Sequence, residues 1–281
     1  MGASLACGFR IVNTDIHAAK WGDHGSRVVM VHGGAQGTSS AGHANFHAQE
    51  TLGSAGWQLI VPDRPGHGQS PDPGRPDDAE ADGEWVAELL GDGAHLVGHS
   101  FGGLVALAAA ARRPKAVRSI TLIEPALLKI ATSDPAVRKT VLGLAATMLL
   151  PFSPATRARR SMKLLGIPDV FGKDEADLTE LGRSLRRAQL PSKAWMLQRL
   201  AVVRDHHIPL LVISGDASAC FMGTGKAAAA AGGGQFVIVP SENHFPQWAG
   251  ASFNKVMSDF WTKADSDLCK GSGAETLTED Q

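Results

Sequence analysis

Short apolar runs of strand length recur along the chain, and stretches of helical periodicity separate them. Phe9 to Val12 and Ile16 to Trp21 read as an antiparallel hairpin. Val28 to Val31, Gln58 to Val61, Leu96–Val97, Val117 to Ile123, Ile208 to Ile213 and Gln235 to Val239 follow as strands. Between them, Ser40 to Leu52, Glu80 to Leu90, Leu104 to Arg113 and Ala251 to Lys263 carry helical patterns. In the last, Phe253, Val256, Met257, Phe260 and Trp261 recur at helical spacing, an apolar stripe for docking on a sheet. Apolar strands alternating with helices predict an α/β fold. Its core is expected to be a mostly parallel, eight-stranded sheet with helices on both faces.

The alternation stops between residues 125 and 207, where helical patterns are punctuated by Pro135, Pro151, Pro154, Pro168 and Pro191 and no strand intervenes. That segment reads as a helical cap inserted into a core made of residues 1–124 and 208–264. From Asp265 to Gln281 the chain is polar and carries Gly271-Ser272-Gly273, so a disordered tail is expected there. A chain of 281 residues is long enough to bury such a core.

Charge narrows the choice of partner. The 27 basic and 28 acidic side chains leave a formal charge of −1, which offers no electrostatic footprint for nucleic acid or an anionic membrane. The longest apolar run, Val141 to Phe152, is interrupted by Gly143, Thr147 and Pro151 and is too short to span a bilayer. Cys7, Cys220 and Cys269 lie far apart, which is neither a disulfide framework nor a metal spacing. With no basic-then-apolar leader, the expected compartment is the cytoplasm. The chain contains no tyrosine, so no mechanism can use a phenol as acid or oxyanion donor.

The chemistry begins at Gly98-His99-Ser100-Phe101-Gly102, which follows the apolar Ala94–Val97 and precedes the alanine-rich Gly103 to Ala111. In a strand–turn–helix setting a G-x-S-x-G pentapeptide makes a nucleophile elbow. The turn is so sharp that side chains two positions either side of the serine would collide, which calls for glycine. Such a serine needs a base, an orienting acid and an oxyanion hole. His244, just after the last strand, emerges at the same C-terminal edge of a parallel sheet and is the expected base. His32-Gly33-Gly34 follows a buried strand, so the N–H groups of Gly34 and Phe101 are the expected oxyanion donors.

Other features carry plainer readings. His67 reads as structural, His99 as packing or hydrogen bonding locally, and His206–His207 as a surface turn. His43 and His47 share a helix face, but no third ligand accompanies them, so no metal is expected. Arg157, Arg159, Arg160, Arg183, Arg186 and Arg187 read as solvated helix faces, with attraction of an anionic substrate as the alternative.

Four stretches in this order carry a resemblance: Val31 to Gly34 (VHGG), Asp63 to Ser70 (DRPGHGQS), Gly98 to Gly103 (GHSFGG) and Glu242 to Trp248 (ENHFPQW). Over Phe9 to Ala264 the chain resembles the serine hydrolases of the α/β-hydrolase fold. Most members carry the acid three residues beyond a glycine after the seventh strand, where this chain has Gly215-Asp216-Ala217-Ser218 and hence a serine. Others carry it at the end of the sixth strand, where Glu124 follows Ile120 to Ile123. Glu124 is therefore the expected acid and Asp216 the alternative. The resemblance implies hydrolysis of a small-molecule ester or lactone through an acyl-enzyme on Ser100, with no cofactor. The same triad also serves C–C bond hydrolysis, perhydrolysis and cyanohydrin cleavage, and a non-catalytic ligand-binding protein of this fold is a further alternative. His32, Gly33, Leu127, Leu128, Met148, Trp195, Phe245 and Trp248 are expected to line a mainly apolar pocket.

Overall fold

The computed structural model describes residues 9–11, 14–34, 42–168 and 174–275; Cys7 and Ser40 lie outside them. Its strands are β1 (Phe9–Ile11), β2 (Thr14–Ile16), β3 (Ala18–Trp21), β4 (Ser26–Val31), β5 (Trp57–Pro62), β6 (Ala94–His99), β7 (Val117–Ile123), β8 (Leu210–Ser214) and β9 (Gln235–Ile238). Seven of them form one sheet in the order β3-β5-β4-β6-β7-β8-β9, with β3 antiparallel to β5 and the rest parallel.

Among the described residues the sheet thus has seven strands where the sequence pattern predicts eight, because β1 and β2 pair with each other and not with it. His17 divides the run from Ile16 to Trp21. Its N–H donates to Ser70 Oγ at 3.1 Å, its ring Nδ1 meets Asp63 Oδ2 at 2.8 Å, and its carbonyl accepts the Asp63 N–H at 2.9 Å. Bonding to the loop after β5 takes this residue out of strand pairing.

The helices are α1 (Gly42–Phe46), α2 (Thr51–Ser54), α3 (Ala79–Leu89), α4 (Phe101–Arg112), α5 (Pro135–Leu149), α6 (Pro154–Leu165), α7 (Glu175–Arg187), α8 (Lys193–Asp205), α9 (Ala219–Gly232) and α10 (Ala251–Glu275). The helical pattern after Ser40 is therefore broken into α1, a 3-10 turn at His47–Gln49, and α2. Between β7 and β8 lie α5 to α8. Asp134, Ser153, Asp174 and Ser192 cap their N-termini by accepting backbone N–H bonds, and proline opens α5 and α6. α6 and α7 pack on each other, whereas α8 buries Met196, Leu200 and Val203 and packs on α4 and α9.

Two apolar layers cover the sheet. One joins Val86, Leu104, Leu107 and Leu200 to the strands, and the other joins Phe46, Phe253, Met257 and Trp261. α10 continues to Glu275, so residues 265–275 are helical where the polar composition predicts disorder. At the start of this stretch Asp265 ties the helix to the sheet: it accepts Ser26 Oγ–H at 2.6 Å and Arg118 Nη1–H at 3.0 Å, at the starts of β4 and β7.

Trp261 anchors this helix, fully buried, edge-on to Trp57 at 5.1 Å and stacked on His95 at 5.8 Å. Trp261→Ala should cost about 3–5 kcal/mol in urea unfolding, as for other buried aromatic truncations. A loss below about 1 kcal/mol would contradict this docking, since that is the range of surface changes.

Candidate active site

Ser100 stands between β6 and α4 with φ 53° and ψ −118°, a conformation that costs a non-glycine residue about 1–3 kcal/mol. The surroundings hold it there. Its N–H donates to the Ile123 carbonyl at 2.9 Å, and its own carbonyl accepts from Gly103 at 3.1 Å and Ala126 at 2.9 Å. A Cβ at Gly98 would lie 2.4 Å from the Gly102 carbonyl oxygen, and one at Gly102 would lie 2.1 Å from that of Val31. Both flanking glycines are sterically required. The serine side chain makes no capping bond to α4.

Glu124, the residue after β7, also has positive φ, at 39°, and is fully buried. Its N–H donates to the Ile213 carbonyl at 2.9 Å. One carboxylate oxygen accepts the Gly215 N–H at 2.9 Å, and the other lies 2.5 Å from His244 Nδ1. Asp216 is turned elsewhere and accepts the Ser241 N–H at 2.9 Å, while Ser218 caps α9. Of the two carboxylates weighed from sequence, Glu124 faces the imidazole.

The His244 ring stacks on Phe221 at 4.2 Å, and its Nε2 is buried without a hydrogen-bond partner among the described residues. Its main chain is held from two sides: the N–H donates to the Gly166 carbonyl at 2.9 Å, and the carbonyl accepts from His99 Nε2 at 2.8 Å. His99 Nδ1 in turn accepts from Asn45 at 3.1 Å, and Asn45 Oδ1 accepts from Gln247 at 3.1 Å. Burial first, and His244 second, hold the His99 pKa well below the ordinary histidine value. His99 therefore acts across the sheet edge rather than locally. Asn45 and Gln247 carry no local sequence signal for this role and meet His99 and each other only through the fold.

The loop after β4 lies against the elbow. A Cβ at Gly33 would meet Ser100 Cβ at 3.0 Å, and one at Gly34 would lie 3.6 Å from Phe101 Cβ. Rather than facing a pocket, His32 is fully buried beneath this loop, with Nδ1 2.8 Å from the Gly33 carbonyl and Nε2 accepting the Arg64 N–H at 2.9 Å. Arg64, also fully buried, donates to Asp82 at 3.0 Å, to Asp77 at 2.6 Å and to the Gly33 carbonyl at 3.3 Å. Its guanidinium sits 4.5 Å over the Phe101 ring. Burial opposes the charge on Arg64, but Asp77 and Asp82 outweigh it and raise the pKa. One cation thus braces both sides of the expected oxyanion hole.

The remaining expected pocket residues divide. Phe245 and Trp248 stack at 4.2 Å beside His244, and Leu127 and Leu128 are buried in the turn after Glu124. Met148 is half-buried on α5. Trp195 lies elsewhere: because α8 docks on α4, its indole N–H donates to Glu80 of α3 at 2.6 Å. A cavity of about 470 Å³ opens at Gly34, walled by His67, Asp72, Arg75, Asp77 and Glu180. The loop after β5 and α7 form this cavity, and neither Ser100, His244 nor the expected apolar pocket residues are among its lining. Among the described residues no group of three or more side chains could hold a metal ion, and no helix is long and apolar enough to cross a membrane.

Residues 26–169 match the model of the alpha/beta hydrolase fold family. The chain is 35% identical over 132 residues to the lipase LipV of Mycobacterium tuberculosis, covering 45% of this chain and 47% of that protein. It is 38% identical over 99 residues to a pimeloyl-(acyl-carrier protein) methyl ester esterase of Neisseria meningitidis, covering 34% of this chain and 29% of that one. The chain spans about half or less of the length of these relatives. Among solved structures, the N-acyl homoserine lactonase AidH, complexed with N-butanoyl homoserine, superposes with a TM-score of 0.66 at 18% identity. That match covers 92% of this chain and 97% of the lactonase.

The buried imidazoles of His32 and His99 predict a pH dependence. Burial holds both neutral well below pH 6.5, whereas in the unfolded chain they take up protons near that pH. Below about pH 6.5 the unfolded state binds more protons, so stability is fully present above that pH and falls as acid is added. Urea midpoints should therefore drop between pH 7.5 and pH 5; a flat profile would contradict neutral burial.

Proposed function

The chain belongs to the alpha/beta hydrolase family, and on that premise we propose that it is a serine hydrolase cleaving a carboxylic ester or lactone of a small molecule. The observation that carries this reading is the buried Glu124–His244 pair, whose free Nε2 stands at the same sheet edge as the strained Ser100. In this reading Ser100 Oγ attacks the carbonyl carbon while His244 Nε2 takes its proton. Glu124 holds Nδ1–H and stabilises the imidazolium without becoming protonated. The N–H groups of Gly34 and Phe101 receive the oxyanion, and the helix N-terminus at Phe101 adds a favourable field. His244 then returns its proton to the departing alkoxide, leaving an acyl-enzyme that a water activated by His244 hydrolyses.

The names of the two curated relatives, a lipase and a methyl ester esterase, support ester chemistry, and a lactone, a cyclic ester, opens by the same steps. We read residues 125–207 as the cap, of which α6 reaches the site through the Gly166–His244 bond.

Turnover of short p-nitrophenyl esters tests the assignment. Ser100→Ala should fall to background. Glu124→Gln should lower kcat by about ten-thousandfold, as when a triad carboxylate loses its charge. Asp216→Asn should stay within severalfold of the parent. The reverse ranking of the two carboxylates would overturn the placement of the acid.

A further inference from the structure

The arginines between residues 157 and 187 are not uniformly solvated. Arg157 on α6 is only 2% exposed. Its Nη2 donates to the Phe152 carbonyl at 3.1 Å, its Nε is buried without a partner, and no carboxylate of the described residues pairs with it. One turn further along the same face, the Ser161 hydroxyl is also buried without a partner. A buried cation without a counter-ion is costly, and this cost is relieved by an anion that accepts from it.

Arg157 lines a cleft of about 660 Å³ together with Pro154, Glu180, Arg183, Arg186 and Arg187. Among the described residues, four arginines and one carboxylate therefore line it. Glu180 is shared between Arg187 at 3.2 Å and Arg183 at 3.6 Å, which leaves the cleft with an excess of positive charge. Gly182 lets the helices come close enough to bury Arg157, since a Cβ there would lie 1.8 Å from the Pro154 carbonyl oxygen. The exposed arginines are screened by salt and supply attraction, while the buried one supplies a desolvated planar donor suited to a carboxylate or phosphate.

The cleft adjoins the cavity that opens at Gly34, because Glu180 and Arg187 line both. Arg157 also stands nine residues before Gly166, whose carbonyl holds the His244 N–H. At 1.5 Å rise per residue this is about 13 Å.

We infer that this cleft is a subsite for an anionic group, a carboxylate or a phosphate, carried by the substrate remote from its ester. The inference rests on the ester-hydrolase reading and adds the substrate class. It is tested with three matched p-nitrophenyl esters whose acyl chains end in a methyl, a carboxylate or a phosphate group.

The parent enzyme should show a KM at least tenfold lower for one or both anionic esters than for the methyl ester, with inorganic phosphate competing. Arg157→Gln should bring the KM ratio near one. The exposed Arg186→Glu, which disturbs no buried contact, should reduce the ratio at least threefold. Equal KM values in the parent enzyme, or a preference that survives both substitutions, would overturn the subsite.

If the hydrolase reading itself failed, none of the three esters would turn over. Calorimetric titration with inorganic phosphate and with glutarate would then decide. Binding weakened at least tenfold by Arg157→Gln supports the anion site, and no binding of either anion overturns it.

Discussion

The buried carboxylate of Glu124 is the contact on which the site depends. It joins three turns far apart in sequence: its own at the end of β7, the one after β8 through the Gly215 N–H, and the one after β9 through His244. A carboxylate so deeply buried is tolerable only with its oxygens engaged, and both are. Its backbone sits at positive φ, as does that of Ser100, and the two are linked through Ile123, whose carbonyl holds the Ser100 N–H. Two strained residues at neighbouring strand ends together cost several kcal/mol, on the order of 1–3 each. The parallel sheet between two apolar layers supplies the rigidity that keeps them in place.

Around this contact, polar groups position loops that packing alone would leave adjustable. His99, Asn45 and Gln247 fasten the histidine loop from the side of α1. Arg64, held by Asp77 and Asp82, fastens the loop of Gly33 and touches the ring of Phe101. Each member is buried or nearly so, where hydrogen bonds are strong and a missing partner is costly. The positions of Ser100, the His244 imidazole and the loop of Gly33 and Gly34 are therefore set by buried groups around them.

Much of this is legible in the sequence, for physical reasons. A parallel sheet delivers the ends of its strands to one edge, so residues following apolar runs, such as Ser100, Gly34, Glu124 and His244, are natural neighbours. Glu124 stood out over Asp216 because it directly ends a buried strand. What escaped depended on long-range partners. Nothing local tells that His17 bonds to Asp63 and Ser70 and so splits a strand. Asp265 meets Ser26 and Arg118, more than a hundred residues away, and that docking has no local signal. Trp195 and Arg157 look alike in pattern to their neighbours, and only helix docking sends one to Glu80 and buries the other.

Covalent trapping tests the central claim most directly. Intact-mass and peptide analysis after exposure to a fluorophosphonate should find one adduct per chain, on Ser100, formed far more slowly in His244→Gln. An unmodified Ser100, or an adduct rate indifferent to His244, would contradict the account.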